Sequence, residues 1–338
     1  MKRLPLGREQ ILRYRRRAGA LDQRLSSGAA SIARAARAGL QDSMPRAALL
    51  SLHARVEGTP PDALADPALV QVWGPRYSAF AVPARDHALF TLGRMPDTPA
   101  KRREFERMAA RLDALLDGGE MEADAAERAL GAGRNRLRYA TLTGRLLIRW
   151  DGARQPTVRV VPPPALDPFE ARLELARRHL HVFGPTTQTA FARWGGVGAR
   201  EARAAYQALL PELVPVRTPI GDAWILAGDA AELSAPPGPE APARLLPSGD
   251  AYTLLQDDER ALLVPDATRR ATLWTPRVWP GAVLVEGEVV GVWRRAGGVV
   301  SVEPWQRLSG PQRDVVEAEA ATLPLPGLNG GITVRWEG

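Results

Sequence analysis

The chain has no cysteine and only two lysines among its 338 residues. Without cysteine there can be no disulfides, thiolate zinc sites, iron-sulfur clusters or cysteine nucleophiles. Schiff-base catalysis needs an amine in a desolvated pocket. Lys2 is terminal and Lys101 follows a Pro-rich loop, so lyase chemistry through lysine is not expected. No apolar run approaches the roughly 18 residues of a membrane span, and the basic N-terminus lacks the apolar core of a signal peptide. A cytoplasmic, nucleoid-associated location without a membrane partner is the expectation. The four histidines, His53, His87, His179 and His181, show no paired metal spacing. His179 and His181 stand two apart on a predicted helix, face different ways and suit surface or boundary roles. Neither a metal nor a cofactor is expected.

What the chain has is arginine, which supplies nearly all of its cations and gives it a net charge of +7. GC-rich coding raises Ala, Arg, Gly and Pro together and accounts for some of this. Clustering argues for a polyanion partner instead: Arg13, Arg15, Arg16 and Arg17, then Lys101, Arg102 and Arg103, then Arg134, Arg136 and Arg138. With 45% hydrophobic and 25% charged residues, the chain has the composition of a globular protein of two to four units.

Three stretches repeat one plan, short helices followed by a β-hairpin. The first runs over residues 1–97. Ile11, Tyr14, Ala18, Leu21 and Leu25 form an apolar stripe, and strands near 69–73 and 78–82 turn at Gly74-Pro75-Arg76. In the second, 98–165, helices at 99–117 and 122–131 precede the basic segment from Arg134, and Asp151-Gly152 turns a hairpin. The third, 166–228, places helices at 167–183, 187–195 and 199–210 before strands at 213–217 and 223–227. Three helices and a hairpin are the winged-helix form of the helix-turn-helix, with Arg134, Arg136 and Arg138 on the recognition helix. A Pro-rich linker, 229–243, leads to a small C-terminal barrel or sheet, 244–338, with Trp293, Trp305 and Trp336 expected in its core. The predicted class is α+β: three tandem winged-helix units and a β-barrel-like domain.

Gly39 to Arg46 connects a helix predicted over 29–38 to one predicted over 46–56, with Ser43 as N-cap. Gln41 and Asp42 thus lie at a helix N-terminus, where backbone N–H groups favour negative charge. Either they cap and bridge two helices, or they form a site for a water or an anion.

Several stretches resemble the bacterial AlkZ/YcaQ-like winged-helix DNA glycosylases: Gln41 to Arg46 continuing to Ala54-Arg55, Trp73-Gly74-Pro75-Arg76 with Ala84-Arg85-Asp86, Phe183-Gly184-Pro185-Thr186, Leu245-Leu246-Pro247 with Asp250, and Val283 to Trp293. They follow the family's order over nearly the whole chain. The resemblance implies a monomer wrapped around duplex, damaged DNA that releases alkylated or bulky-adducted purines. The family's signature is Gln, an apolar residue, then Gln or Asp. Here Gln41 stands first, Asp42 holds the apolar position and Ser43 the third. Either Asp42 supplies the carboxylate from a shifted backbone, or catalysis is altered or lost. Ser248-Gly249 also replaces a bulkier pair.

On this resemblance Gln41 would hold the water, Asp42 would stabilise the sugar cation and accept a proton, and Ser43 would orient them. Arg46, Arg76, Arg85, Arg134, Arg136 and Arg138 would hold DNA. Arg46 and Arg76, nearest the lesion, could equally be structural ion-pair partners. The scarcity of lysine favours a monofunctional enzyme. The alternative is a winged-helix DNA-binding protein without activity, a regulator or a lesion sensor.

Overall fold

The computed structural model describes residues 3–152, 155–236, 238–328 and 330–337. Lys2 and Pro237, the latter in the expected linker, lie outside the described residues. The first stretch comprises β1 (Leu4–Pro5), α1 (Arg8–Ala18), α2 (Ala29–Ala35), β2 (Leu40–Gln41), α3 (Ala47–His53), β3 (Leu69–Trp73), β4 (Ala79–Pro83) and α4 (His87–Leu92). The second adds α5 (Pro99–Leu116), β5 (Glu120–Glu122), α6 (Ala123–Ala129), α7 (Leu137–Ala140), β6 (Leu146–Arg149) and β7 (Thr157–Val160). The third holds α8 (Pro168–Phe183), α9 (Gln188–Gly195), α10 (Ala199–Leu209), β8 (Leu213–Thr218), β9 (Gly221–Leu226) and α11 (Ala230–Ser234). Last come β10 (Arg244–Leu246), α12 (Asp258–Leu263), α13 (Ala267–Leu273), β11 (Gly281–Val285), β12 (Glu288–Ala296), β13 (Val299–Pro304), α14 (Gly310–Ala321) and β14 (Thr333–Trp336).

The hairpins β3–β4, β6–β7 and β8–β9 are antiparallel. The first two merge. Gln71 of β3 pairs with Ile148 of β6, which joins six strands in the order β2-β4-β3-β6-β7-β5. Two helices of the third stretch start where a side chain satisfies free N–H groups: Asp167 accepts from Phe169 and Glu170 ahead of α8, and Thr187 accepts from Ala190 ahead of α9.

The N-terminal segment packs far from its sequence neighbours. β1 runs parallel to β8, and Leu6, Ile11 and Tyr14 share a core with Val216, Ile225 and Leu233. Leu233 belongs to α11, so a helix occupies part of the stretch expected to be a linker, because that side chain has a core to enter.

The expected C-terminal barrel is an open five-stranded sheet, β10-β11-β12-β13-β14, whose end strands each have one partner among the described residues. The last pair is parallel: β14 returns beside β13 after α14, leaving β10 at the other edge. Trp293 is buried and its Nε1 donates to Leu246 O at 2.8 Å; Trp305 and Trp336 are half-buried. No helix among the described residues is long and apolar enough to cross a membrane.

Candidate active site

α2 ends early, and the chain turns at Gly39, whose φ of +75° and whose missing Cβ, which would lie 2.9 Å from Phe80, leave room only for glycine. β2 then pairs with β4, Gln41 facing Phe80. Asp42 extends that ladder by one residue, its N–H donating to Ala79 O at 2.8 Å. On an extended backbone consecutive side chains point to opposite faces.

Gln41 and Ser43 therefore share one side, where Gln41 Nε2 donates to Ser43 Oγ. Gln41 Oε1 is buried without a hydrogen-bond partner. The glutamine amide lies against the Ser248–Gly249 turn, for a Cβ on Gly249 would fall 3.2 Å from Gln41 Nε2.

Asp42 points the other way and is 4% exposed. Its Oδ1 accepts from Ala48 N–H at 3.1 Å and its Oδ2 from Gln71 Nε2 at 2.7 Å. Burial pushes its pKa up to about 7, against the opposing pull of these two bonds. Ser43, the cap expected from the sequence, does not cap α3. The residue before that helix is Arg46, in the left-handed region at φ 67° with no side-chain bond, and Asp42 satisfies the Ala48 N–H instead.

Gln71 is the partner that sequence reasoning missed. Besides holding Asp42 it donates to Trp150 O at 3.1 Å and accepts from Trp150 N–H at 2.7 Å. It thus joins the 41–46 loop to the end of the second hairpin. A lone glutamine in an alternating strand carries no motif; its one signal is a polar residue in a strand flanked by Val70 and Val72.

α3 is gripped at its other end by Asp250, fully buried, which accepts two bonds of 2.7 Å from the Arg55 guanidinium and one of 2.7 Å from Ser51 Oγ. Asp250, noted in the sequence only as part of a shared stretch, fixes the turn that lies on Gln41.

On the Asp42 side opens a cleft of about 540 Å³, bordered by Asp42, Gln71, Trp150, Arg46, Arg149 and Arg159. Of the expected DNA-binding residues, Arg46 is half-buried at this cleft. Arg76 is exposed on the β3–β4 turn at φ 54°, and the Arg85 side chain is 81% exposed, 3.9 Å from Asp86. Arg134, Arg136 and Arg138 do not share one helix. α7 begins only at Leu137, since Asn135 has φ 62° and the Glu127 carboxylate accepts from the Asn135 and Leu137 N–H groups. Arg134 and Arg136 are exposed, while Arg138 lies 5.7 Å from the centre of the Trp73 ring.

The histidine expectation is corrected at His179. It is buried among Phe183, Phe191 and Trp194, and burial drives its pKa down to about 3. His181, half-buried, meets Asp229 at 2.9 Å. Among the described residues no cluster of His, Asp or Glu could hold a metal ion.

Most of the length of the chain, more than any one loop, places it in a class. The chain belongs to the AlkZ-like DNA glycosylases: the family model, DNA glycosylase AlkZ-like, matches residues 34–324. Membership makes DNA its substrate and repair its process. Among solved structures, Streptomyces sahachiroi DNA glycosylase AlkZ is similar over 99% of this chain and 100% of that one, with a TM-score of 0.78 and 20% identity. At that identity the likeness speaks for the fold. No curated protein sequence matches the chain.

Proposed function

We propose that the protein hydrolyses the N-glycosidic bond of alkylated or bulky-adducted purines in duplex DNA, acting as a monomer without metal or cofactor. It leaves an abasic site and does not cleave the strand. The observation that carries this reading is the buried, unpartnered Oε1 of Gln41 on the side it shares with Ser43. A water donating to that oxygen is oriented by a group whose own direction is fixed by its bond to Ser43. Ser43 Oγ offers the same water a second partner.

Asp42 cannot serve this water from the opposite side of the strand. Its part is to hold the first turn of α3 and to meet Gln71. The site then supplies neither a strong general acid for the departing base nor a strong general base for the water, which suits it to purines already cationic through alkylation, because these depart without being protonated. Arg46, Arg76, Arg85, Arg134, Arg136 and Arg138 bind phosphates, giving salt-dependent affinity rather than sequence reading.

A second reading, DNA binding without base release, is favoured by one observation: the Asp42 carboxylate is turned away from the Gln41 side, onto the Ala48 N–H and the Gln71 amide. Release of free base from duplex DNA carrying N7-alkylguanine separates the two. Wild-type release that falls by about 10²–10³ in Gln41→Ala, with DNA affinity unchanged, supports the glycosylase. Tight binding with no release from any cationic purine supports the second reading.

A further inference from the structure

A cavity of about 440 Å³ lies where the three helix-and-hairpin stretches meet. It is lined by Tyr77 and Arg94 of the first stretch, Lys101, Arg136 and Tyr139 of the second and Gly196 of the third, and its size is that of a small-ligand site. Two of the basic clusters seen in the sequence, the one beginning at Lys101 and the one beginning at Arg134, thus converge on one space. Lys101 and Arg136 are exposed, and neither forms an ion pair among the described residues.

The wall of this cavity holds a charge that the chain leaves unbalanced. Arg94 is 3% exposed. Its Nε donates to Gly195 O at 2.7 Å and its Nη1 to Trp73 O at 3.0 Å, while its Nη2 is buried without a hydrogen-bond partner. The guanidinium meets two residues of the cavity lining: a Cβ on Gly196 would fall 3.7 Å from Nη2, and the guanidinium carbon stands 4.6 Å from the centre of the Tyr77 ring. Every other buried arginine has a carboxylate within 4.0 Å; Arg94 has none among the described residues. Burial pulls its pKa down to about 10. Because Nη2 is covered, Arg94 acts by its field, and an anion in the cavity offsets the cost of its burial without touching it.

Tyr139 is 37% exposed, the most open aromatic ring among the described residues. It stacks on Phe105 at 5.8 Å and meets Tyr77 edge-on at 5.0 Å, with the Arg136 guanidinium 6.0 Å from its centre. Arg76 and Tyr77 both stand in the left-handed region, at φ 54° and 60°. Strain of this kind in successive non-glycine residues collects where a ligand is held. Two carboxylates also border the cavity. Glu201 is occupied by the Asp97 N–H at 3.3 Å and by Arg200 at 3.5 Å, and Glu104 is exposed. The cations Arg94, Lys101 and Arg136 outnumber them. An open ring among cations suits a base that carries its phosphate.

We propose that this cavity takes one unpaired nucleotide of a DNA strand, its base stacked on Tyr139 and its phosphate between Lys101 and Arg136. The choice of DNA rests on the reading that DNA is the substrate. Tyr77 stands three residues before Phe80, which faces Gln41 across the β2–β4 ladder, so a nucleotide held here orients the strand relative to the glutamine. The site is a positioning device and touches no reacting atom.

The test uses the full chain and does not depend on base release. Binding is measured for a fully paired duplex, for the same duplex with a single bulged 2-aminopurine nucleotide and for free dAMP. The proteins are wild type, Tyr139→Ala, Tyr139→Phe and Lys101→Gln/Arg136→Gln. Wild type is expected to bind the bulged duplex roughly tenfold more tightly than the paired one, with quenching of the 2-aminopurine fluorescence. Tyr139→Ala is expected to lose the preference and the quenching while binding paired duplex as before; Tyr139→Phe, which keeps the ring, retains both. The double variant changes two exposed side chains and so keeps the fold. Its slope of log K against log salt for the bulged duplex is expected to be shallower by about 1, because one phosphate fewer is neutralised. Equal affinity of wild type for the two duplexes, or a preference that survives in both Tyr139→Ala and the double variant, would overturn the proposal. Saturable binding of dAMP that Tyr139→Ala abolishes, with no preference for the bulge, would mean a site for free nucleotides and would overturn the assignment to a DNA strand. A protein that prefers the bulge through Tyr139 yet releases no base leaves the inference standing and removes the glycosylase reading alone.

Discussion

Asp42 and Asp250 are both buried carboxylates that hold α3, one at each end, and they are balanced in opposite ways. Asp250 meets a cation, two parallel bonds from Arg55, with Ser51 Oγ and the Tyr252 N–H completing its shell. Asp42 meets only neutral donors, the Ala48 N–H and the Gln71 amide. A carboxylate paired with a guanidinium has its counter-charge built into the framework. One held by amides alone suffers desolvation without a counter-charge and takes up a proton near neutrality. The same residue type, at the same depth, is a clamp in one place and a titrating group in the other.

The contrast is broken most forcefully at its stronger end. Asp250→Ala leaves the Arg55 guanidinium buried and unpaired, an expected loss of about 3–5 kcal/mol by chemical denaturation; a loss below about 1 kcal/mol would show that Arg55 finds another partner.

The next effect lies in pH. The folded state holds the Asp42 proton up to about pH 7, whereas the unfolded chain releases it near 3.8. The folded state therefore binds more protons in that window, and its stability falls as pH rises, by about 1.4 kcal/mol per unit at most. Asp42→Asn is expected to flatten this slope while keeping base release within a few-fold of wild type. A loss of about 100-fold or more would return Asp42 to the chemistry.

Gln71→Leu sharpens the comparison from the partner's side. It removes a bond that lowers the Asp42 pKa, so the proton is held to higher pH, readable by carbon NMR of the carboxyl. It also removes the bond that Gln71 Oε1 accepts from the Trp150 N–H, at an expected cost of about 0.5–1.5 kcal/mol. The smallest change is Gly249→Ala. A methyl group at φ +75° and 3.2 Å from the Gln41 amide is expected to cost about 1 kcal/mol and to lower base release more than DNA affinity. Equal loss of both would place the turn in binding alone.

Hairpins were legible because alternation and turn dipeptides such as Asp151-Gly152 are local. The pairing of Gln71 with Ile148, which fuses two hairpins into one sheet, is not, since no local pattern distinguishes a strand edge that will be paired from one that will not. The Gln41 to Arg46 loop stood out by composition, but the direction of Asp42 depends on a single additional ladder bond, to Ala79. Without it, a shifted backbone and an inward carboxylate read alike. Arg134, Arg136 and Arg138 read as parts of one recognition helix until Asn135 turns left-handed over Glu127. The closed barrel failed for a related reason: alternation identifies strands but says nothing about whether the first and last of them meet.

The pairing of β1 with β8 sets an order of events during synthesis. Leu4 and Pro5 leave the ribosome well before their partners Val216 and Arg217, which follow more than two hundred residues later. At roughly 5–20 residues per second, the leading segment spends about ten seconds or more with Leu6, Ile11 and Tyr14 uncovered. For that interval the apolar stripe of α1 is a target for chaperones, and a chain stalled before residue 213 would display it indefinitely.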